Sequence, residues 1–456
     1  MEEIKVLSPT AILGYGFPVE SFERGLDQHP DVIAVDAGST DPGPYYLGAG
    51  VSFTDREAVK RDLKLMLKAG KKLKIPVLVG TAGGSGANEH LYWAEDIIKE
   101  IAREESLELK VAVIEAQIPK EKILKEFEKG KIEPLAPAGE LSREDIEETT
   151  RIVAQMGVEP IIDALENDVD LVLAGRAFDP TVFAAPCIKA GFPKGLALHM
   201  GKILECASIA ATPGSGSDCM MGTLRNDCFI LEALNPKRKC TVTSIAAHTL
   251  YEKDDPYRLH GPGGIISLEE TEFTQIDERR VKVSGSKFIP SDEYTIKLEG
   301  AKKTGYRTIS IAGTRDPIMI NQIDDILEAV KDMAKNNFSN IKSDDYQILF
   351  ALYGKDGVMG KLEPLKDEPS HELGIIIEVV AKTQEMANTI CSFTRSSLLH
   401  YGYPGRIATA GNLALRYSPS DIEAGEVYEF SIYHLLKVDD PKEYFPITVK
   451  TIKGSE

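Results

Sequence analysis

The amino-acid sequence predicts an α/β N-terminal domain with a mostly parallel sheet, followed by a smaller α+β domain. Two patterns support this. Short β-branched runs alternate with amphipathic helical patterns as far as about residue 235. Beyond that point strand patterns dominate, with two clear helical patterns among them. We therefore expect a ligand-binding or catalytic α/β domain over residues 1–235 and an α+β domain over residues 236–456 that contributes to the cleft, with a linker near Leu234–Lys239.

The first half contains short runs with little alternation of polar and apolar residues, which is typical of strands covered on both faces. These predicted strands are Ile4–Leu7, Asp31–Asp36, Pro76–Gly80, Lys110–Glu115 and Asp170–Ala174. Capping-box patterns at Thr54–Glu57 and Ser142–Asp145 predict where two of the intervening helices begin. Strand–helix alternation of this kind indicates parallel neighbours joined by right-handed crossovers.

The second half shows strand patterns around two helices. The predicted strands are Thr241–Ile245, Tyr294–Leu298, Thr308–Ala312, Tyr346–Tyr353, Gly374–Ala381 and Val427–Leu436. A further run, Phe273–Phe288, alternates around the polar turn Asp277–Arg280 and predicts a hairpin. Helices are predicted around Ile323–Val330 and over Gln384–His400.

Composition excludes several classes of protein. The chain has 456 residues and a formal net charge of −18, a field that repels phosphate backbones, so nucleic acid is not expected as a partner. There is no apolar run of about 18 residues, so no membrane span is expected. The first residues lack a basic and apolar leader, and the six cysteines show no paired spacing. A cytoplasmic protein is therefore predicted.

The first candidate site follows the strand that ends at Asp36. Ligands of parallel sheets bind beyond the carboxyl ends of the strands. Asp36 and Asp41 are therefore candidate catalytic acid–base groups, and Ser39 and Thr40 between them are candidate ligand-binding residues. The alternative is a loop that is capped by its own aspartate side chains.

A glycine-rich stretch from Gly80 to His90 opens a helix and is a candidate anion site, because unpaired backbone N–H groups attract phosphates and carboxylates. It is neither a Walker A loop nor a complete G-x-G-x-x-G, since Glu89 stands where the third glycine belongs. Glu115 ends the next strand and is a candidate acid–base group. A tight turn is the alternative. The candidate ligand-binding residues are Thr81, Gly83, Gly84, Ser85, Gly86 and Asn88.

Another predicted strand ends in a glycine that is followed by Arg176. A guanidinium at this position can bind a carboxylate or phosphate with two hydrogen bonds, or form an internal ion pair. Asp179 is a candidate ligand-binding residue, and it can equally cap the helix that Pro180 starts.

Three later residues complete the candidates. His199 is followed closely by Lys202, Glu205 and a cysteine, and it is a candidate catalytic acid or base. Asp218, in a Gly/Ser loop, and His260, in a loop that could close over the site, are candidate ligand-binding residues. Structural roles are the alternative for each, and no metal-ligand spacing is present.

Four segments are distinctive as sequence motifs: Val35–Gly48, Gly175–Pro180, His199–Cys206 and Tyr428–His434. They resemble the acyclic terpene utilisation (AtuA) family, over most of the chain. That family takes its name from bacterial clusters that break down citronellol and related terpenes through acyl-CoA intermediates. The resemblance implies a hydratase or lyase role on a CoA-linked or small carboxylic acid, and it assigns no catalytic residue.

We therefore predict a lyase of the hydratase or dehydratase type, acting in catabolism on a small carboxylate or acyl-CoA substrate. Such chemistry needs a base for the proton beside a carbonyl and an acid for the leaving hydroxyl. A homo-oligomer is expected. Two alternatives stay open: a nucleotide- or metal-dependent enzyme of another class, and a non-catalytic subunit that needs a small companion chain. The sequence names no cofactor.

Overall fold

The computed structural model describes residues 2–365 and 367–454. The chain forms two compact units, Met1–Lys302 with Phe430–Glu456, and Lys303–Glu429. The strands on either side of residue 235, Cys228–Ala233 and Arg280–Ser284, pair in one sheet. The domain boundary that the sequence predicts near residue 235 stays a prediction.

The strands, in chain order, are β1 (Ile4–Ser8), β2 (Val32–Asp36), β3 (Val77–Gly80), β4 (Glu108–Ile114), β5 (Ile132–Pro134), β6 (Arg151–Ala154), β7 (Leu171–Ala174), β8 (Met220–Leu224), β9 (Cys228–Ala233), β10 (Arg258–Gly261), β11 (Gly264–Ser267), β12 (Glu272–Gln275), β13 (Arg280–Ser284), β14 (Lys287–Pro290), β15 (Tyr294–Thr314), β16 (Tyr346–Tyr353), β17 (Leu373–Ala381), β18 (Ala414–Leu415), β19 (Asp421–Val438) and β20 (Ile447–Lys453).

The α-helices are α1 (Val19–Asp27), α2 (Pro44–Ala49), α3 (Arg56–Leu73), α4 (Asn88–Glu105), α5 (Lys120–Glu128), α6 (Arg143–Glu148), α7 (Glu159–Leu165), α8 (Thr181–Lys189), α9 (Lys194–Leu204), α10 (Val242–Thr249), α11 (Pro317–Asn321), α12 (Ile323–Asn337) and α13 (Gln384–His400). Short 3₁₀ helices cover Ala207–Ala210, Ser343–Asp345 and Gly360–Leu362.

A ten-stranded sheet organises the first unit, in the order β12-β13-β9-β8-β1-β2-β3-β7-β4-β20. The strands β1, β2, β3, β7 and β4 are parallel to their neighbours within this group, and they are the strands predicted from the buried runs. All further pairs along the sheet are antiparallel. The prediction of a mostly parallel sheet is therefore right for the centre, while the whole sheet is mixed.

Helices cover both faces of this sheet, which explains why every residue of β2, β3 and β7 is buried. One apolar cluster joins one face of the sheet to α3 and α4. The other cluster joins the opposite face to α7, α8 and α9. The N-cap of α3 is Asp55, one residue after the predicted Thr54, whereas the capping box of α6 at Ser142 is confirmed.

The predicted strand Thr241–Ile245 is wrong, because the segment opens helix α10. The Thr241 hydroxyl accepts a hydrogen bond from the Ser244 backbone N–H at 3.0 Å, which caps the helix. The predicted strands Tyr294–Leu298 and Thr308–Ala312 are two parts of the single strand β15. The predicted hairpin is confirmed for β12 and β13, but β14 joins a separate three-stranded sheet with β10 and β11.

In the second unit, β17 pairs antiparallel with both β16 and β15. Helices α12 and α13 share an apolar core with these strands. The predicted helix Gln384–His400 and strand Tyr346–Tyr353 have the predicted bounds. Over residues 2–365 and 367–454, no helix combines the length and apolar character that crossing a membrane requires.

Candidate functional site

Four of the predicted site positions lie at one edge of the central sheet. Asp36 is in register with Gly80, the last residues of β2 and β3. Ala174, the last residue of β7, is in register with Ile114, the last residue of β4. Because these strands are parallel neighbours, Asp36, Gly80, Glu115 and Arg176 follow the carboxyl ends of adjacent strands.

The glycines of this edge let its loops approach closely. A Cβ atom at Gly38 would lie 2.3 Å from the Gly84 carbonyl oxygen. A Cβ at Gly86 would lie 2.1 Å from the Arg176 backbone nitrogen, and Gly86 also has a φ of +70°. Only glycine fits such contacts. The glycines that sequence analysis assigned to a ligand therefore hold the loops of the site against one another.

Much of the backbone donor capacity of the glycine-rich loop is used inside the protein. The Thr81 and Ala82 N–H groups donate to the carbonyls of Gly175 and Ala174. The Asn88 N–H donates to the Gln117 side-chain oxygen at 3.0 Å.

Two buried side-chain oxygens of the same loop, Ser85 Oγ and Asn88 Oδ1, have no hydrogen-bond partner within the described residues. The role of this loop, including Gly83, as an anion holder stays a prediction. Ser85 and Asn88 are the groups left open for it.

Arg176 is buried and held by internal partners. Its Nε donates to Glu299 Oε2 at 2.7 Å, and its Nη1 donates to the Ala177 carbonyl at 2.9 Å and to Asp179 Oδ1 at 3.1 Å. Burial opposes ionisation of Glu299, but Arg176 and Lys297 lower the pKa of Glu299 to about 2. Arg176 therefore supplies a fixed positive charge and positions Asp179, with little donor capacity left for a ligand.

Two buried carboxyl groups near this arginine hold protons more tightly than usual. Burial raises the pKa of Asp36 well above its ordinary 3.8, and the charges of Asp179 and Glu205 raise it further, while Arg176 opposes the rise. Burial also raises the pKa of Glu205 to about 7, although Lys202 opposes it. Both side chains are 5% exposed. With a pKa of about 7, Glu205 exchanges a proton near neutral pH.

The cationic side of the site comes from two lysines. Lys202, in the last turn of α9, donates to Glu205 Oε1, and its Nζ lies 5.4 Å from the centroid of the Tyr251 ring. Lys253 lies in the loop after α10, with Nζ 5.8 Å from the centroid of the Phe178 ring. Glu205 Oε2 is buried and has no hydrogen-bond partner within the described chain. The pair Lys202–Glu205 thus retains one free carboxyl oxygen.

Two predicted residues occupy structural positions. His199 is fully buried, with Nδ1 2.6 Å from Ser286 Oγ and Nε2 2.9 Å from Thr249 Oγ1, and burial lowers the pKa of His199 to about 3. Asp218 accepts from Arg238 Nε at 2.8 Å and is also buried. Hydrogen bonds within the protein therefore satisfy the polar groups of both side chains.

The loop after Asp36 is partly exposed. Asp41 is exposed and accepts from Ser39 Oγ at 2.8 Å, as in the predicted self-capped loop. Thr40 is buried, and its carbonyl accepts from the Gly43 N–H. Asp41 is therefore exposed to solvent whereas Asp36 is buried, although the two are close in sequence.

A cavity of about 400 Å³ lies in the first unit beside Phe178. Its lining includes Gln155, His260, Lys297 and Leu435. Lys297 is ion-paired with Glu299 at 2.8 Å, so the Arg176–Glu299 network reaches the wall of this cavity. A volume of this size is in the range of small-molecule sites.

The described residues contain no group of three or more His, Cys, Asp and Glu side chains that could hold a metal ion.

Comparison with known families gives a match over residues 56–218 and 225–422 to the model described as acyclic terpene utilisation family protein AtuA. The chain belongs to the AtuA family. Membership implies a role in terpene catabolism. No curated protein and no solved structure matched the chain.

In this AtuA family member, sequence reasoning did not select Glu205, Lys202, Lys253 or Glu299 as site residues. A signal for the first two was present: charges three residues apart follow an apolar stretch of α9, a pattern typical of a buried ion pair. Lys253 and Glu299 come from distant loops and strands, and no local pattern indicates their approach.

Proposed function

We propose that the protein is a lyase of the hydratase or dehydratase type, acting on a small or CoA-linked carboxylic acid in catabolism. The observation that supports this best is the pair of buried carboxyls, Asp36 and Glu205, whose pKa values are raised. Asp36 ends a strand at the edge of the sheet where α/β proteins bind ligands, and the charge of Glu205 acts on it. Removal of water beside a carbonyl needs a base, an acid and stabilisation of negative charge.

In the proposed reaction, ionised Asp36 takes the proton from the carbon next to the substrate carbonyl. Negative charge develops on the carbonyl oxygen and is stabilised by the cation of Lys202. Protonated Glu205 then donates to the hydroxyl group, which leaves as water. Because the pKa of Glu205 is about 7, both of its protonation states are available near neutral pH.

Glu115 lies at the same edge and stays a candidate acid–base group. Asp41 and His199 are left outside the proposed centre. Asp41 is exposed on the loop, and both ring nitrogens of His199 are engaged within the core. His260 lines the cavity and stays a candidate ligand-binding residue.

The test is incubation with panels of enoyl-CoA esters and hydroxy acids, followed by mass spectrometry for gain or loss of one water. Asp36→Asn and Glu205→Gln are each expected to lower kcat by about 10²-fold or more. Asp41→Asn is the matched control, because it removes a carboxylate from the same loop without touching the centre. If the folded protein adds or removes water from no compound of either panel, or if Asp36→Asn keeps full activity, the proposal is contradicted.

The rival functions have separate signatures. A rise in melting temperature with nucleotides or divalent ions, but not with CoA or hydroxy acids, would favour another enzyme class. A chain that is inactive alone, and that co-purifies from its source with a small protein, would favour the subunit that needs a companion.

A further inference from the structure

Lys253 differs from the other amines around the site in having no acceptor. Its Nζ makes no hydrogen bond and no ion pair with any residue that the structure describes, and faces the Phe178 ring. Lys202, by contrast, is paired with Glu205, and Lys297 lies 2.8 Å from Glu299 and 2.9 Å from the Tyr433 hydroxyl. No hydrogen-bond acceptor among the described residues therefore stabilises Lys253 as an ammonium ion.

The surroundings of Lys253 favour that deprotonated state. Burial lowers the pKa of Lys253, and the neighbouring cation of Lys202 lowers it further, while Glu205, Asp179 and Glu252 oppose the change. Burial beside a second cationic group is a known way of making a lysine nucleophilic toward carbonyl carbons. Lys253 is half-buried and not fully enclosed.

We propose that Lys253 forms a covalent imine with the oxo group of the substrate, which is a hydroxy oxo acid with its hydroxyl on the second carbon from the oxo carbon. This inference rests on the proposed hydro-lyase function and narrows its substrate class. The geometry that carries it is the acceptor-free amine of Lys253 beside the Lys202–Glu205 pair and against Phe178.

The step balances without a further reactant. The neutral Lys253 amine adds to the oxo carbon, and the carbonyl oxygen leaves as water, which gives a C=N bond. The protonated imine acidifies the adjacent C–H, and a carboxylate of the site removes that proton. The hydroxyl leaves as water with a proton from Glu205. Water then hydrolyses the conjugated imine, which restores the amine and releases the unsaturated oxo acid.

The cavity beside Phe178 supports this placement. The Phe178 ring contributes to its lining and is the ring that Lys253 faces. Leu135, Ile265 and Leu435 give the cavity an apolar part. Phe178 links the cavity to the amine, because it lines the cavity and its ring centroid lies 5.8 Å from Lys253 Nζ, so the carbon chain of the oxo acid is proposed to lie against this ring.

The test is reductive trapping with sodium borohydride, using pyruvate and 2-oxobutanoate as probes on the full chain. The expected result is one reduced adduct per chain, mapped by peptide mass spectrometry to Lys253. Lys253→Met is expected to lose the adduct. Lys189→Met is the control and should keep the adduct on Lys253, because the Lys189 amine donates a hydrogen bond to the Leu165 carbonyl in another part of the unit.

Absence of an adduct in the wild type, or an adduct on another lysine, would overturn the imine even if Lys253→Met fails to fold. The two proposals fail separately. A labelled Lys253 with silent hydration panels supports the imine and counts against the hydro-lyase. Turnover of hydroxy acids without any trapped adduct overturns the imine and leaves the hydro-lyase in place.

Discussion

At the residue scale, burial is the main reason that the pKa of Asp36 is raised. Arg176 is the cation that opposes the rise, but its donors are directed to Glu299 and Asp179. The negative charges of Asp179 and Glu205 add to the burial of Asp36. The ionised form of a carboxyl group in such surroundings destabilises the folded protein, and the group therefore binds its proton more tightly than usual.

Replacement of Asp36 by asparagine is therefore expected to stabilise the folded protein at alkaline pH. The folded-state pKa of Asp36 lies above its ordinary 3.8, so the wild type loses stability as pH rises between these two values. The advantage of Asp36→Asn should grow by up to about 1.4 kcal/mol per pH unit in that window. Chemical denaturation at several pH values measures it. Asp41→Asn, which removes an exposed carboxylate, is the control; an Asp36→Asn protein that is no more stable at alkaline pH contradicts the account.

His199 predicts the opposite pH dependence. Its folded-state pKa is lowered to about 3, so the neutral form is favoured in the folded state. Its contribution to stability is present above the ordinary 6.5 and is lost as pH falls toward 3. His199→Asn should flatten the acid loss by up to about 1.4 kcal/mol per pH unit. Thermal unfolding from pH 7 downward measures this, with the exposed His400→Asn as control. An unchanged slope in His199→Asn would refute the assignment.

At the element scale, the glycine-rich loop stabilises the site by close packing. Gly86→Ala places a Cβ 2.1 Å from the Arg176 backbone nitrogen at a φ of +70°, whereas Gly130→Ala at a φ of +68° meets nothing within 4 Å. Both variants lose roughly 1–2 kcal/mol from the left-handed backbone. Only Gly86→Ala is expected to lose more, and to lose catalytic activity as well. Equal melting temperatures for the two variants would show that the contact is not required.

Helix α10 shows why a local pattern misled the strand prediction. Val242, Thr243 and Ile245 favour strands by propensity, but the reciprocal hydrogen bonds of Thr241 and Ser244 start a helix. Thr241→Ala is expected to cost about 1 kcal/mol of stability. Thr243→Ala, in the exposed first turn of the same helix, should cost less. Denaturant unfolding compares the pair, and equal losses would contradict the capping role.

The strands that sequence analysis found and missed differ in a physical property. β1, β2, β3, β4 and β7 are short buried runs, so composition alone indicates them. β8 and β20 join the sheet by antiparallel pairing with residues distant in the chain, which no local signal specifies. The same holds for the site. Asp36 and Arg176 could be predicted from strand ends, whereas Glu299 and Lys253 could not.

At the scale of the whole molecule, the first unit brings the candidate site together from segments more than two hundred residues apart. Asp36 comes from β2, Arg176 follows β7, Glu205 follows α9 and Glu299 lies in β15. The chain belongs to the AtuA family. The hydro-lyase function is the reaction that we propose for this member of the family. It depends on Asp36 in its ionised form as the base and on Glu205 in its protonated form as the acid.

The most direct test is an infrared pH titration of the carboxyl groups, with difference spectra between the wild type and the Asp36→Asn and Glu205→Gln variants. The account predicts a protonated carboxyl band that persists to about pH 7 in the wild type and is missing in Glu205→Gln. It also predicts a second such band, missing in Asp36→Asn, that persists above the ordinary range of an aspartate. If both carboxyls are fully ionised by pH 5, within the usual range of surface groups, the proposed acid–base pair does not exist.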